Sequence, residues 1–185
     1  MTDALKVAVL TYSTKPRGGV VHSLSLAEAL AAQGVDVHLF GLGPADGEFF
    51  RPTTVPFTLF PAPETAESLD DKVFASVDAM ALGLKGLGAG FDILHSQDCI
   101  SARAATRVRD DGLRTPVVRT VHHVDDFTTQ ALIDCQRQAI LQPDHILVVS
   151  TRWQEIMLEE YGRRADIVRN GVDPGRFPAI TDDRR

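Results

Sequence analysis

The chain has 185 residues, about a quarter of them charged, and a formal net charge of -6 at pH 7. That length suits one generous domain with a full core and leaves no room for two of ordinary size, while an acidic chain with scattered Lys and Arg excludes a nucleic-acid backbone as main partner. Cys99 and Cys135 lack any Cys-x-x-Cys spacing and read as reduced thiols, and without a basic leader or a membrane-length apolar run the expectation is a soluble, cytoplasmic protein.

Strand-length apolar runs alternate with amphipathic stretches of helix length, the pattern of a parallel sheet wrapped by helices. Lys6 to Thr11 reads as a buried first strand. Val20, Leu24, Ala27, Leu30 and Ala31 then share one helical face, and Gly34 stands where a left-handed residue would end that helix. Val35 to Phe40 is the second strand. Val55 to Phe60 is a third, placed at an edge because of its prolines. Leu69 to Leu84 reads as helix, Ile93 to His95 as strand, Ser101 to Asp110 as helix and Pro116 to Val121 as strand. Thr128 to Leu141 is helix and His145 to Val149 strand. Thr151 to Tyr161 is the last long helix, with Thr151 as N-cap and Gly162 just past its end. The fold expected is α/β: a doubly wound, mainly parallel, Rossmann-like sheet with helices on both faces, over residues 1–168. Residues 169–185 read as a linker and tail: Asn170-Gly171 after an apolar run, then Asp173-Pro174, is a chain leaving a sheet, and Asp182 to Arg185 is a frayed end.

Ligands of such sheets bind beyond the carboxyl ends of the strands, so the loops there are the places for chemistry. The first, Tyr12 to Gly19, enters a helix whose free N–H groups favour an anion; Gly18 and Gly19 would admit a diphosphate, with Lys15 and Arg17 adding charge. The same glycines could merely turn the chain. The loop lacks Gly-x-Gly-x-x-Gly, and the second strand ends without a carboxylate for a ribose, which argues against a nicotinamide dehydrogenase. It also lacks the Gly-Lys-Ser/Thr of a triphosphate-binding loop. In the second loop, His95-Ser96-Gln97-Asp98, Asp98 could be a ligand contact or a helix N-cap, and His95 a ligand contact or a buried, hydrogen-bonded histidine. The third, Thr120 to Asp126, holds the densest run of ionisable groups, including His122 and His123. A metal site is disfavoured there, because neighbours on an extended segment diverge. Acid/base work and hydrogen bonding to a polyhydroxylated ligand both stay open.

Taken together, Gly18-Gly19-Val20-Val21-His22, Phe91 to Asp98, Thr120-Val121-His122, Val149-Ser150 with Trp153, and Asn170-Gly171-Val172-Asp173 with Arg176-Phe177 resemble the N-terminal, acceptor-side domain of family-four retaining glycosyltransferases, whose GT-B architecture faces two Rossmann-like domains. The resemblance implies transfer of a sugar from a nucleotide-diphosphate donor to an acceptor with retention, without a cofactor or metal. It places Gly18 and Gly19 against the diphosphate, with Lys15 and Arg17 beside them, and His122 as the catalytic residue facing the transferred sugar. His22, His95 and Asp98 fall on the acceptor side. The family's paired glutamates with seven intervening residues are missing, so the C-terminal donor domain is expected to be absent from these 185 residues, which alone would be inactive. A GT-B sugar-nucleotide epimerase half, or a non-catalytic binding module, are the alternatives, and a bare inner face could drive homodimerisation. All of this requires the glycine pair and the Thr120-Val121-His122 segment to face the same crevice.

Overall fold

A computed structural model describes residues 4–64, 66–87 and 90–176, with the side chain of Arg176 excepted. The expected tail, Phe177 and the middle of the Gly86–Gly90 turn lie outside the described residues. Seven strands form one parallel sheet in the order β3-β2-β1-β4-β5-β6-β7. They are β1 (Lys6–Leu10), β2 (Asp36–Gly43), β3 (Phe57–Pro61), β4 (Ile93–Ser96), β5 (Val117–Val121), β6 (His145–Val148) and β7 (Asp166–Ile167). The helices are α1 (Gly18–Ala32), α2 (Leu69–Leu87), α3 (Cys99–Val108), α4 (Gln130–Leu141) and α5 (Thr151–Tyr161). No helix among the described residues is long and apolar enough to cross a membrane.

Alternation along β1 divides the core. Val7 and Val9 meet Val20, Leu24 and Ala27 of α1, whereas Ala8 and Leu10 meet the layer formed by α2 and α3 through Met80, Leu84, Ala104 and Ala105. Ile140 of α4 and Met157 of α5 extend that second layer over Val121, Ile146 and Val148. The expected α/β sandwich is therefore present, with β3 at the edge where its prolines can be tolerated.

The left-handed helix endings at Gly34 (φ 85°) and Gly162 (φ 63°) are as the sequence predicts. Two local readings are corrected. Ser150, not Thr151, caps α5: its backbone is extended and its hydroxyl accepts from the Trp153 N–H, while Thr151 is already helical. Gly18 and Gly19 lie inside α1 rather than in the turn before it. The two-residue β7 is the short apolar run from which the chain was expected to leave the sheet, and the wide helical turn at Arg109–Leu113, which closes through Gly112 (φ 121°) and a left-handed Arg114 (φ 60°), is an addition the sequence did not suggest.

The strand order reverses its direction of growth between β1 and β4. At such a switch point the loops after the two strands diverge to opposite faces and leave a crevice. All three chemically loaded loops leave strands at or next to that seam.

Candidate functional site

α1 begins at the seam, and its start is unlike that of the other helices. Ser68 caps α2, Asp98 caps α3, Thr129 caps α4 and Ser150 caps α5, each accepting from a backbone N–H of the first turn. Arg17, at the N-cap of α1, supplies no side-chain acceptor. A helix left open in this way presents unsatisfied N–H groups and the positive end of its dipole. Arg17 instead donates from Nη1 to the Tyr12 hydroxyl at 2.7 Å and lies over the Tyr12 ring, which holds its charge beside the helix start. Lys15, in the same loop, is exposed.

Neither glycine of the pair is required by the fold. Neither has a positive φ, and a methyl group on Gly18 would meet nothing within 4 Å. One on Gly19 would stand at ordinary contact distance, 3.9 Å from the Gln97 carbonyl oxygen and 4.0 Å from His122 Cδ2. The glycine loop and the Thr120-Val121-His122 segment thus face one crevice, as the sequence argument required.

His122, just past β5, is half-buried and is pinned from two sides. Its Nε2 lies 3.1 Å from Gln97 Oε1, and its ring meets His22 edge-on at a centroid distance of 4.6 Å. With Oε1 as the facing atom of the Gln97 amide, the bond is made by the tautomer that carries its proton on Nε2 and leaves the Nδ1 lone pair to accept. The Asn170 side chain is near enough to His22, one turn into α1, to oppose the fall in its pKa, so the segment after β7 returns to the crevice. His95 is buried, with Nε2 2.9 Å from Thr120 Oγ1. His123 points outward and pairs with Asp125. Among the described residues no three His, Cys, Asp or Glu side chains converge in a geometry that could hold a metal ion.

Asp98 has both oxygens engaged. Oδ1 accepts from the Ser101 N–H at 2.8 Å and Oδ2 from the Tyr12 N–H at 2.9 Å, so the capping carboxylate also fastens the first loop to the second. Burial raises its pKa, partly offset by those hydrogen bonds.

The three crevice histidines resist protonation. Burial, with the neighbouring His22, pushes His95 down to about 4, and the same causes, aided by His123, Arg119 and His95, push His122 down to about 4. Burial also lowers His22. Neutral rings at pH 7 offer one donor and one acceptor each, which suits hydroxyl recognition. In the unfolded chain a histidine takes its proton near pH 6.5, whereas His95 and His122 in the folded chain wait until about 4. Their contribution to stability is therefore complete above pH 6.5 and is lost as pH falls towards 4. Urea midpoints measured from pH 7.5 to 4.5 are expected to fall, and His95→Gln is expected to flatten that slope; an unchanged slope in the variant would show that His95 does not cause it.

Three participants were not legible in the sequence. Gln97 is buried, orients His122 and leaves its Nε2 without a partner among the described residues. Asn170 reaches His22. Arg119, on β5, is only 3% exposed, and its Nε and Nη1 find no partner among the described residues. A buried cation is uncommon enough to mark a site, but nothing in a Val-Val-Arg-Thr-Val strand announces it.

A parallel, doubly wound sheet with an open helix start and neutral histidines at its switch point is the architecture of a Rossmann-like domain of the GT-B glycosyltransferase type. The Glycosyltransferase Family 4 model matches residues 16–176, and the chain belongs to that family. Its fold is similar to that of Anabaena HepE, crystallised with UDP and glucose, at a TM-score of 0.71 and 16% identity over 97% of this chain and 48% of HepE. Sucrose-phosphate synthase from Thermosynechococcus elongatus superposes at 0.66 with 19% identity, covering 91% of this chain and 89% of that one. A glycosyltransferase from Rickettsia africae superposes at 0.63 with 14% identity, covering 98% and 47%. No curated protein matches the sequence. The chain spans about half the length of HepE and of the Rickettsia enzyme.

Proposed function

We propose that these residues form the acceptor-side, N-terminal domain of a retaining glycosyltransferase that takes its sugar from a nucleotide diphosphate. A second domain, outside these 185 residues, holds most of the donor. The observation that carries the reading is the bare, glycine-bearing start of α1 at the β1/β4 seam, 4.0 Å from His122 when a methyl is placed on Gly19. A diphosphate departing in the transition state gains negative charge, and preorganised N–H groups with the helix dipole stabilise that charge without reorganisation. Arg17 and Lys15 strengthen the same field. Family membership and the HepE structures with UDP-glucose support the choice of donor class.

In this reading His122 faces the transferred sugar, with Nδ1 free to accept from a sugar hydroxyl while Gln97 holds the ring. His22 lies on the acceptor side. His95 and Asp98 support the wall there, one bracing Thr120 and the other tying the loops. A cytoplasmic location belongs to the same proposal.

The test uses the enzyme with both domains, a panel of sugar nucleotides beginning with UDP-glucose, and NMR assignment of the product's anomeric configuration. Transfer with the donor's configuration preserved is expected, and the 185-residue chain alone should give none. Inverted product, or transfer by the isolated chain, would reject the proposal.

A further inference from the structure

Asn170 is the sole asparagine in the 185 residues, and a glycine follows it. Asparagine is among the chemically labile side chains, because its amide carbon can close a five-membered ring with the backbone nitrogen of the next residue. Glycine at that next position places no Cβ in the way. In a folded chain the reaction depends on the nitrogen, which must be accessible and not already committed to a hydrogen bond.

The structure separates this site from the chain's similar dipeptides. After Gln33, the Gly34 N–H donates to the Ala31 carbonyl at 3.0 Å, and after Asp46 the Gly47 N–H donates to the Pro44 carbonyl at 2.9 Å. Gly112, after Asp111, is enclosed in the wide helical turn at a φ of 121°. Gly171 differs from all three. Asn170 and Gly171 are exposed and belong to no helix or strand, and the Gly171 N–H has no hydrogen-bond partner among the described residues. A Cβ placed on Gly171 would meet nothing within 4 Å, so the space a ring requires is open. The segment is nevertheless held on both sides. The Val168 N–H donates to the Val148 carbonyl at 2.9 Å, and the Gly175 N–H to Asp173 Oδ1 at 2.9 Å, which leaves residues 169–172 as a short span between two anchors.

We propose that Asn170-Gly171 is a self-modifying site, at which the chain's own backbone and water convert the side-chain amide into a carboxylate by way of a cyclic imide. The Gly171 nitrogen gives its proton to solvent and attacks the Asn170 side-chain carbonyl carbon, forming a C–N bond. The bond from that carbon to the side-chain nitrogen breaks, and ammonia leaves with a proton taken from water. A water molecule then opens the ring. Addition at one carbonyl gives aspartate; addition at the other gives isoaspartate, whose main chain runs through the former side chain. One water is consumed and one ammonia released, with no oxidant or reductant. Either product carries a new negative charge near His22, on the wall where Lys15 and Arg17 supply positive charge. The isoaspartyl form also adds one main-chain carbon between the two anchors. None of this depends on the transferase reading.

The 185-residue chain is held at pH 8 and 37 °C in water enriched in 18O, followed by anion-exchange chromatography and intact mass, and then digested with trypsin in ordinary water. The expected result is a form more acidic by one charge, arising while the far-UV helix signal is intact, with the heavy oxygen confined to the peptide of residues 170–176. The folded chain should convert at a rate similar to that of a synthetic peptide of residues 166–176. Gly171→Ala should slow the conversion roughly tenfold, since a Cβ then hinders the attacking nitrogen, and Asn170→Gln should give no acidic form. A folded chain that stays unchanged while the synthetic peptide is consumed would overturn the proposal. Heavy oxygen found at a glutamine instead, or a Gly171→Ala chain that keeps pace with the wild type, would overturn it equally.

Discussion

Replacing His122 by alanine in the two-domain enzyme is expected to lower kcat/KM by about two to three orders of magnitude, the range for removing a positioned catalytic group. Stability should change little. The ring is half-buried, and its hydrogen bond to Gln97 is a single neutral contact with a net worth of about 1 kcal/mol. Steady-state kinetics beside urea denaturation separate the two effects, and a parallel collapse of both would assign the residue to structure. Gln97→Leu supplies an internal control. It removes the group that fixes the ring but leaves the imidazole, so its loss of kcat should be smaller than that of His122→Ala and its effect on KM slight. The 15N shifts of the His122 ring in the 185-residue chain report the tautomer independently of any assay. The proton is expected on Nε2 in the wild type, with a mixture of tautomers once Gln97 is gone.

The second large effect is expected at the glycine pair, where stability and function should move in opposite directions. Gly18→Ala and Gly19→Ala add a methyl in helical backbone with no contact closer than ordinary packing, so each should stabilise the chain by roughly 0.5–1 kcal/mol through helix propensity. Donor affinity should fall about tenfold for the alanines. For Gly19→Leu the fall should reach about a hundredfold, because the longer side chain would fill the space in which the proposed diphosphate meets the N–H groups. Calorimetry with the nucleotide diphosphate, run alongside thermal unfolding, gives both quantities from the same preparations. A glycine that the fold does not need is best explained by a ligand that does, and undiminished donor binding by Gly19→Leu would remove the loop from the site.

How far the sequence discloses this site depends on whether the relevant interaction is local. The strands and helices were legible because burial imposes periods of 2 and 3.6 on apolar residues, and Asp98 was legible as a candidate N-cap because the N–H it accepts from lies within one turn. Ser150 and Thr151 could not be told apart, since either hydroxyl can cap and only the backbone angles decide. Val35 to Phe40 was read too short at its far end, because Gly41-Leu42-Gly43 looks like a turn and is held extended only by its pairing with β3. The roles of Gln97 and Asn170 were beyond reach for one shared reason: each acts on a residue of a different element, and no spacing rule links them. The resemblance to a family supplied His122, and the physical reason for its neutrality came only with the burial of three histidines side by side.

The double engagement of Asp98 has a mechanical consequence. Lifting the segment that contains Tyr12 would pull on the same carboxylate whose other oxygen closes the first turn of α3, and Gln97, the residue before it, grips His122. The strand-end segments are thus cross-braced and should yield together or not at all. A surface built like that would serve the proposed two-domain enzyme as an anvil, keeping its shape under load. Amide exchange at Tyr12 and Ser101 should therefore slow or quicken in step.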